Sequence, residues 1–479
     1  MVFNSFEFAL FFPVVCALYF TLPIRWRTPL LLVASCGFYM AFIPVYILVL
    51  GLTIVIDYTA GLYLEHARGR RRQLLLAVSI VATCLVLVVF KYFNFFAGSL
   101  TGFAQVLGWE LKNPSLALIL PIGLSFHTFQ SLSYVVEVYR GHQPAERNFV
   151  VYATYVMFFP QLVAGPIERP QSLLHQFRER HDYDYARIVS GLKRMAWGLF
   201  KKLVIADRVA FYVNDVYAAP QNFNGLQLTV ATVFFAYQIY CDFSGYSDIA
   251  IGSARVLGFT LRENFDRPYA ATSLGDFWRR WHLSLSTWFR DYVYIPLGGS
   301  QVGPWRWARN ILVTFGLSGL WHGANWTYVV WGLMNGVGLI AGRVTQPLRD
   351  RVLGVVGLRA GTAPRRFIQT VSTLVLVGAG WVVFRANSLT DAWHILTHWP
   401  FGWNPGAIIT ERFYLKHFPP ALLAIVTLEL IQFLNTRASV GERVARLPLG
   451  LRWPAYAGFA LLMIFFGVFS SNQFIYFQF

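Results

Sequence analysis

The sequence predicts an all-α polytopic membrane protein, and three observations predict it. Of its 479 residues 56% are hydrophobic and 13% are charged, against roughly a quarter charged in soluble domains. Mean hydropathy is +0.48. The apolar residues come in long runs, many near the ~20 residues that a helix needs to cross a bilayer. Together these exclude a soluble globular chain. In hydrocarbon each backbone polar group must be satisfied within its segment, so the runs are expected to be helices.

The apolar runs centre near residues 7–23, 29–43, 45–63, 73–98, 115–136, 149–165, 191–213, 227–258, 310–343, 368–386, 419–434 and 454–470. The first, MVFNSFEFALFFPVVCALYFTLPIRWR, has no basic leader and no small-residue cleavage site, so a retained span is expected. RWR at 25–27 and HARGRRR at 66–72 flank the first three spans on one side, and AFIPVY between them carries no charge. The positive-inside rule puts those loops in the cytoplasm and the N-terminus on the periplasmic or outer side. LILPIGLSF and MFFPQLVAGPIERP are interrupted by Gly and Pro. Broken helices at membrane depth are tolerated only where protein or a cavity surrounds them. The expectation is about eleven spans with re-entrant and interfacial helices. Polar loops are expected at 166–190, 259–280, 344–367 and 387–418. No internal repeat and no separate soluble domain are expected. Residues 1–479 read as a single transmembrane domain with a catalytic core over about 115–343.

The formal net charge of +17 does not point to nucleic acid. The basic residues cluster in short segments between apolar runs, as in HARGRRRQ and GLKRMAWGLFKK. That pattern suits membrane lipids with anionic headgroups. The basic run TRASVGERVARLPLGLRW is expected to stay inside. That leaves the terminal SSNQFIYFQF outside if the number of spans is even. Cys16, Cys36, Cys84 and Cys241 form no CxxC pair and read as small buried hydrophobes. No Walker loop, dinucleotide fingerprint or HExxH occurs, so no nucleotide fold and no metal are expected.

Four stretches carry polar chemistry. GDFWRRWHLSLSTWFRDYVYIPLGG, residues 275–299, has a helical cadence. Trp278, Trp281, Leu285, Trp288, Phe289 and Tyr292 share one arc, and Arg279, Arg280 and Arg290 fall mostly opposite. A helix lying in the interface plane is expected, ended by Pro296 and Gly298-Gly299, with His282 at the arc's edge beside Ser286. The amphipathic pattern alone favours an anchor with an incidental histidine. The three arginines could also hold phosphates.

GLSGLWHGANWTYVVWG, residues 316–332, places His322 in a run with no formal charge. In a continuous helix His322, Asn325 and Trp326 share a face. Gly316, Gly319 and Gly323 form a small-residue stripe for close helix approach. An intramembrane imidazole is a functional candidate; the alternative is a neutral histidine bonded to a backbone carbonyl. YQIYCDFSGYSDIAIGSARVLGF, residues 237–259, collects Asp242, Ser244, Tyr246, Ser247 and Asp248, either as a packed polar network or as a cavity lining. PIGLSFHTFQSLSYVVEVYRG adds His127, Gln130 and Glu137, and AGPIERP adds Glu168 and Arg169. A neutral histidine is the usual general base near pH 7. Its natural task here is to take a proton from a hydroxyl attacking an activated acyl group.

These stretches, with MVFNSFEFALFFPV, ENFDRPY, WVVFRANSL and the terminal FIYFQF, resemble the membrane-bound O-acyltransferase family, and within it the bacterial alginate O-acetyltransferase type. The resemblance runs from the first residue to the last. It implies a ring of membrane helices around a thinned centre, where a funnel from each side meets at the histidine. His322 matches the family's essential histidine. His282 matches a second site position that is His in the bacterial polysaccharide branch and Asn or Asp in many other relatives. The implied donor is acetyl-CoA on the cytosolic face of a bacterial inner membrane. The implied acceptor is a hydroxyl outside, reached through a periplasmic SGNH-hydrolase-like partner that serves an exopolysaccharide such as alginate or another envelope polymer. On this reading His322 is the general base and His282 shares or orients its proton. Trp321 and Asn325 shape the pocket, and Arg279, Arg280 and Arg290 hold the CoA phosphates. Asp242, Ser244, Tyr246, Asp248, Gln130 and His127 are candidate cavity-lining residues. A secondary transporter or flippase is the rival class, since broken helices and midplane polar residues fit it too. A scaffold subunit recruiting periplasmic enzymes is a third and is compatible with catalysis.

Overall fold

A computed structural model describes residues 1–404, 412–435, 440–469 and 474–475, with the side chains of 412–417 excepted. Parts of four stretches named above therefore lie outside the described residues: 405–411 of the loop 387–418, 436–439 of the basic run, 470 of the apolar run 454–470, and 470–473 and 476–479 of the terminus. Every regular element among the described residues is a helix. The chain divides into two compact units, Met1–Met195 with Ser247–Glu263, and Ala196–Tyr246 with Asn264–Phe479.

Five described stretches are long and apolar enough to cross a membrane: Tyr46–His66, Gly69–Val106, Ala363–Arg385, Phe418–Asn435 and Leu449–Phe466. They make this a multi-pass membrane protein. Many of their large side chains face outward, among them Leu48, Leu74, Val81, Leu423 and Phe465. That is the expected behaviour of helices whose solvent is lipid.

In the first unit, Phe6–Thr21 is capped by Ser5, whose side chain accepts from the Phe8 amide at 3.3 Å. Gly69–Leu87 continues through a π turn, Val88–Tyr92, into Phe93–Val106. Leu124–Arg140 runs between two left-handed glycines, Gly123 and Gly141, both at φ 75. The apolar run 115–136 is thus helical only from Leu124, and residues 109–121 form no regular element.

The apolar run 149–165 is helical only over Phe149–Met157. Its remainder is a turn in which Phe158, Phe159 and Ala164 are fully buried. Its backbone groups find partners in the turn and beside it: the Gln161 amide donates to the Phe158 carbonyl at 3.0 Å, the Gly165 amide to the Gln161 carbonyl at 2.9 Å and the Phe159 amide to Ser35 Oγ at 3.0 Å. Irregular backbone here is enclosed by protein, which is the condition for its survival at membrane depth. Glu168 is itself fully buried and accepts from the Arg262 amide at 2.6 Å and Ser172 Oγ at 2.8 Å. Burial pushes its carboxyl above the ordinary range, against the pull of those donors.

In the second unit, Pro304–His322 and Trp326–Val344 form a tight hairpin. Its closeness depends on glycine. A Cβ on Gly319 would collide with the Tyr328 carbonyl oxygen, and one on Gly332 with the Phe315 carbonyl oxygen. Backbone cannot yield as a side chain can. Gly319→Ala is expected to destabilise the purified protein by about 1–3 kcal/mol. Gly316→Ala, whose Cβ would meet only the Leu333 side chain at 3.5 Å, is expected to leave thermal unfolding in detergent unchanged. Equal melting of the two variants would remove the small-residue stripe as the basis of the hairpin.

Three segments differ from expectation. The supposed loops 344–367 and 387–418 carry helices, Gln346–Val355 and Leu389–His398. The second begins at a reciprocal cap: Ser388 Oγ accepts the Asp391 amide at 3.0 Å and donates to Asp391 Oδ2 at 2.8 Å. The basic residues of GLFKK do not face headgroups. Lys201 and Lys202 are buried in a π-helical segment, Phe200–Ala206, because buried partners receive them: Ser244 for Lys201, Asp207 and Asp242 for Lys202.

Candidate active site

The stretch 275–299 is not one helix. It folds as Leu274–Trp278, a turn, Leu283–Phe289 and a π turn Arg290–Tyr294. The break is set from outside the stretch. The Leu283 amide donates to the Asn264 carbonyl at 2.9 Å, and the Asp266 amide donates to the Arg280 carbonyl at 2.9 Å. Ser284 donates to Asn264 Oδ1 through its amide at 3.2 Å and its hydroxyl at 2.8 Å. These bonds hold His282 in the left-handed region, φ 45 and ψ 56, a conformation that costs a non-glycine residue about 1–2 kcal/mol. The aromatic arc packs against protein: Trp281, Leu285, Trp288 and Phe289 are buried, and Trp278 and Tyr292 are partly so. Helical periodicity cannot register a turn fixed by a loop that precedes it.

His282 is 1% exposed. Its Nδ1 lies 3.3 Å from Asn264 Oδ1. That oxygen already accepts from Ser284, so it is an acceptor, and the Nδ1 of His282 must carry the proton in this contact. The basic nitrogen is then Nε2. The imidazole sits edge-on to Phe243, 4.5 Å between centroids at 82°. Burial, and secondly the neighbouring His322, hold its pKa well below the usual histidine value.

His322 closes the helix Pro304–His322, because Gly323 is extended at φ −164. It is 4% exposed. Three aromatic rings stand nearly perpendicular to the imidazole: Trp321 at 4.9 Å, Trp331 at 5.0 Å and Phe384 at 5.4 Å. Trp321 also reaches His282, at 6.2 Å. The two histidines and Trp321 therefore form one aromatic-walled cluster that excludes bulk water. An imidazole kept neutral in such a place can carry a proton between two substrate atoms.

The shared face of His322, Asn325 and Trp326 does not form. The helix stops at His322, and Asn325 instead caps Trp326–Val344 by accepting the Thr327 amide at 3.0 Å. Trp326 is largely exposed. Arg279 lies 3.7 Å from Asp276, Arg280 lies 3.0 Å from Asp276 and 3.6 Å from Asp266, and Arg290 lies 2.7 Å from Asp291. Arg279 and Arg290 are well exposed, and exposed pairs of this kind hold little energy.

The remaining candidates are distributed. Asp242, Ser244 and Tyr246 fall in the second unit. Asp242 meets Lys202 at 2.7 Å, Ser244 accepts from Lys201 at 2.9 Å, and Tyr246 lies 4.7 Å from the ring of Phe474. Asp242 and Ser244 are thus paired with buried lysines, and Tyr246 packs on a ring. Asp248 falls in the first unit, paired with Arg194 at 2.9 Å. So do Gln130, which donates to the Tyr155 carbonyl at 2.6 Å, and His127, whose ring lies 6.1 Å from that of Tyr39. Asn264, Trp331 and Phe384 were not anticipated. Phe384 lies within WVVFRANSL, a stretch with no chemical group to single it out. Asn264 lies in ENFDRPY, where a lone amide in a loop gives no signal of its partner.

A model of the membrane-bound O-acyltransferase family matches residues 61–353. The chain is similar to the "Probable alginate O-acetylase AlgI" of Azotobacter vinelandii, 40% identical over 403 residues that cover 82% of this chain and 77% of that protein. It is 37% identical to the Pseudomonas putida protein of the same description, over 508 aligned residues covering 100% of both. It is 33% identical to the peptidoglycan O-acetyltransferase of Helicobacter pylori over 430 residues, 83% of this chain and 79% of that one. These relatives are transferases, and they decide against the transporter alternative. The chain belongs to the membrane-bound O-acyltransferase family and is a multi-pass membrane O-acyltransferase.

Proposed function

We propose that this chain moves an acetyl group from cytosolic acetyl-CoA to a hydroxyl acceptor on the other side of a bacterial inner membrane. The observation that carries the reading is the cluster of two buried histidines against Trp321, in a chain whose relatives are named for O-acetylation. His322 takes the proton of the attacking hydroxyl as oxygen adds to the thioester carbonyl. The carbon–sulfur bond breaks, and the proton passes to the departing thiolate. His282, held by Asn264, orients or shares that proton. Trp321 and Asn325 shape the pocket, and Arg279, Arg280 and Arg290 receive the CoA phosphates. The fold proposed around this site is a ring of about eleven spans with its catalytic core over about 115–343 and its N-terminus periplasmic. The acceptor is a periplasmic SGNH-hydrolase-like partner that passes acetyl groups to an exopolysaccharide such as alginate, or to another envelope polymer.

Sealed inverted vesicles test this. Acetyl-CoA labelled in the acetyl group is added outside, and an acceptor protein is trapped in the lumen. Label is expected on the acceptor while CoA stays outside. Accumulation of intact acetyl-CoA in the lumen would overturn the proposed sidedness.

His282→Asn is expected to retain more activity than His282→Ala. Asparagine tolerates the left-handed backbone that alanine resists, and its amide can still donate to Asn264 Oδ1. Initial rates at saturating donor decide it. Equal loss in both variants would mean that the imidazole itself is required.

A further inference from the structure

Away from the histidine cluster, the second unit holds a cavity of about 130 Å³ lined by Tyr240, Arg267, Tyr269, Glu429, Gln432 and Phe433. This is far more than one water needs. Its walls carry one carboxylate, one amide and one cation, Arg267, which also lies 3.5 Å from the exposed Asp266 carboxylate. Gln432 Nε2 is buried and has no hydrogen-bond partner among the described residues. Arg267 stands in the left-handed region, φ 44 and ψ 64, a strain of the kind that gathers where ligands are held. Among the described residues Glu429 accepts one long bond, 3.3 Å, from Tyr237 Oη.

The site lies on the last described turns of a helix long and apolar enough to cross a membrane. Gln432 and Glu429 are three and six residues before Asn435, the last residue of the span Phe418–Asn435. At 1.5 Å per residue this is about 5 and 9 Å along the axis from Asn435, within a helix long and apolar enough to cross a membrane. Spacing of four, three and four puts Leu422, Val426, Glu429 and Phe433 on one face. Leu422, Val426 and Phe433 are all exposed. The polar cavity thus opens onto an apolar track running along the helix.

We propose that this cavity binds the headgroup of a zwitterionic aminophospholipid, of the phosphatidylethanolamine class. The Arg267 guanidinium receives the phosphate, with Gln432 Nε2 donating to one of its oxygens. The ammonium donates to Glu429, and an acyl chain follows the track past Phe433 and Val426. A purely anionic headgroup leaves Glu429 opposite a negative charge. A soluble phosphate ester leaves the apolar track empty.

The test is native mass spectrometry of the delipidated full-length protein titrated with phosphatidylethanolamine. One saturable adduct is expected, weakened about ten-fold or more in Arg267→Ala and in Glu429→Gln, the equivalent of ~1.4 kcal/mol. Arg267→Lys should retain most of it. Arg267→Gly, which also relieves the left-handed strain, should lose the adduct while melting no lower than wild type. That outcome separates binding from folding. Equal affinity in wild type, Arg267→Ala and Glu429→Gln would overturn the site. So would phosphatidylglycerol binding wild type as tightly as phosphatidylethanolamine does. Displacement by millimolar O-phosphoethanolamine would overturn the lipid as the source of the headgroup.

Discussion

His322→Ala is expected to lower acetyl transfer by about 10²–10⁴-fold, the usual cost of losing a general base, in protein that still inserts and purifies. The size of the effect follows from the setting. The imidazole is 4% exposed and ringed by Trp321, Trp331 and Phe384, so no water can stand in for it at bulk concentration. His322→Gln is the companion variant. It nearly preserves volume and so limits any cavity left among the rings, yet cannot carry a proton near neutral pH. Both variants should lose transfer alike, and His322→Gln should melt close to wild type. Transfer near the wild-type rate by either would remove His322 from the proton's path. His282, held by Asn264 at 3.3 Å, should give a smaller loss than His322 when changed to Asn.

How much of this was legible in the sequence depends on whether a feature is local. His322 stood out because an ionisable side chain in an uncharged apolar run has little reason to be there except function. The interruptions before Leu124 and after Met157 were equally plain, since Gly and Pro act on their own backbone. The segment around His282 misled because its turn is imposed by Asn264, eighteen residues earlier, and periodicity sees only neighbours. The same reason hid Phe384, which meets His322 across sixty-two residues of chain. Gly323 was read as part of a helix-packing stripe and does lie close against Tyr328, but it also ends the helix and parts Asn325 from His322. The cap at Ser388 was a missed local signal: Ser-Leu-Thr-Asp is a capping box in plain view.

The acidic pair around Lys202 provides the second large effect. Lys202→Met is expected to destabilise the protein by about 3–5 kcal/mol, the cost of stranding buried charge. The Lys202 ammonium lies 2.9 Å from Asp207 and 2.7 Å from Asp242, and all three side chains are buried. Without the cation, two carboxylates face each other where water cannot reach. The Ile475 amide, 2.6 Å from Asp242 Oδ2, compensates only part of one of them. Lower yield and a lower melting temperature in detergent measure the loss. Restoring neutrality with Asp207→Asn and Asp242→Asn in the same chain should recover much of it. The site should feel the change indirectly. Asp242 precedes Phe243, whose ring lies 4.5 Å from that of His282 and 6.0 Å from that of Phe474. Assayed well below its melting temperature, Lys202→Met should therefore keep far more activity than His322→Ala. If it melts like wild type, the buried pairing does not hold this part of the fold. If it is stable but as inactive as His322→Ala, Lys202 belongs to the chemistry instead.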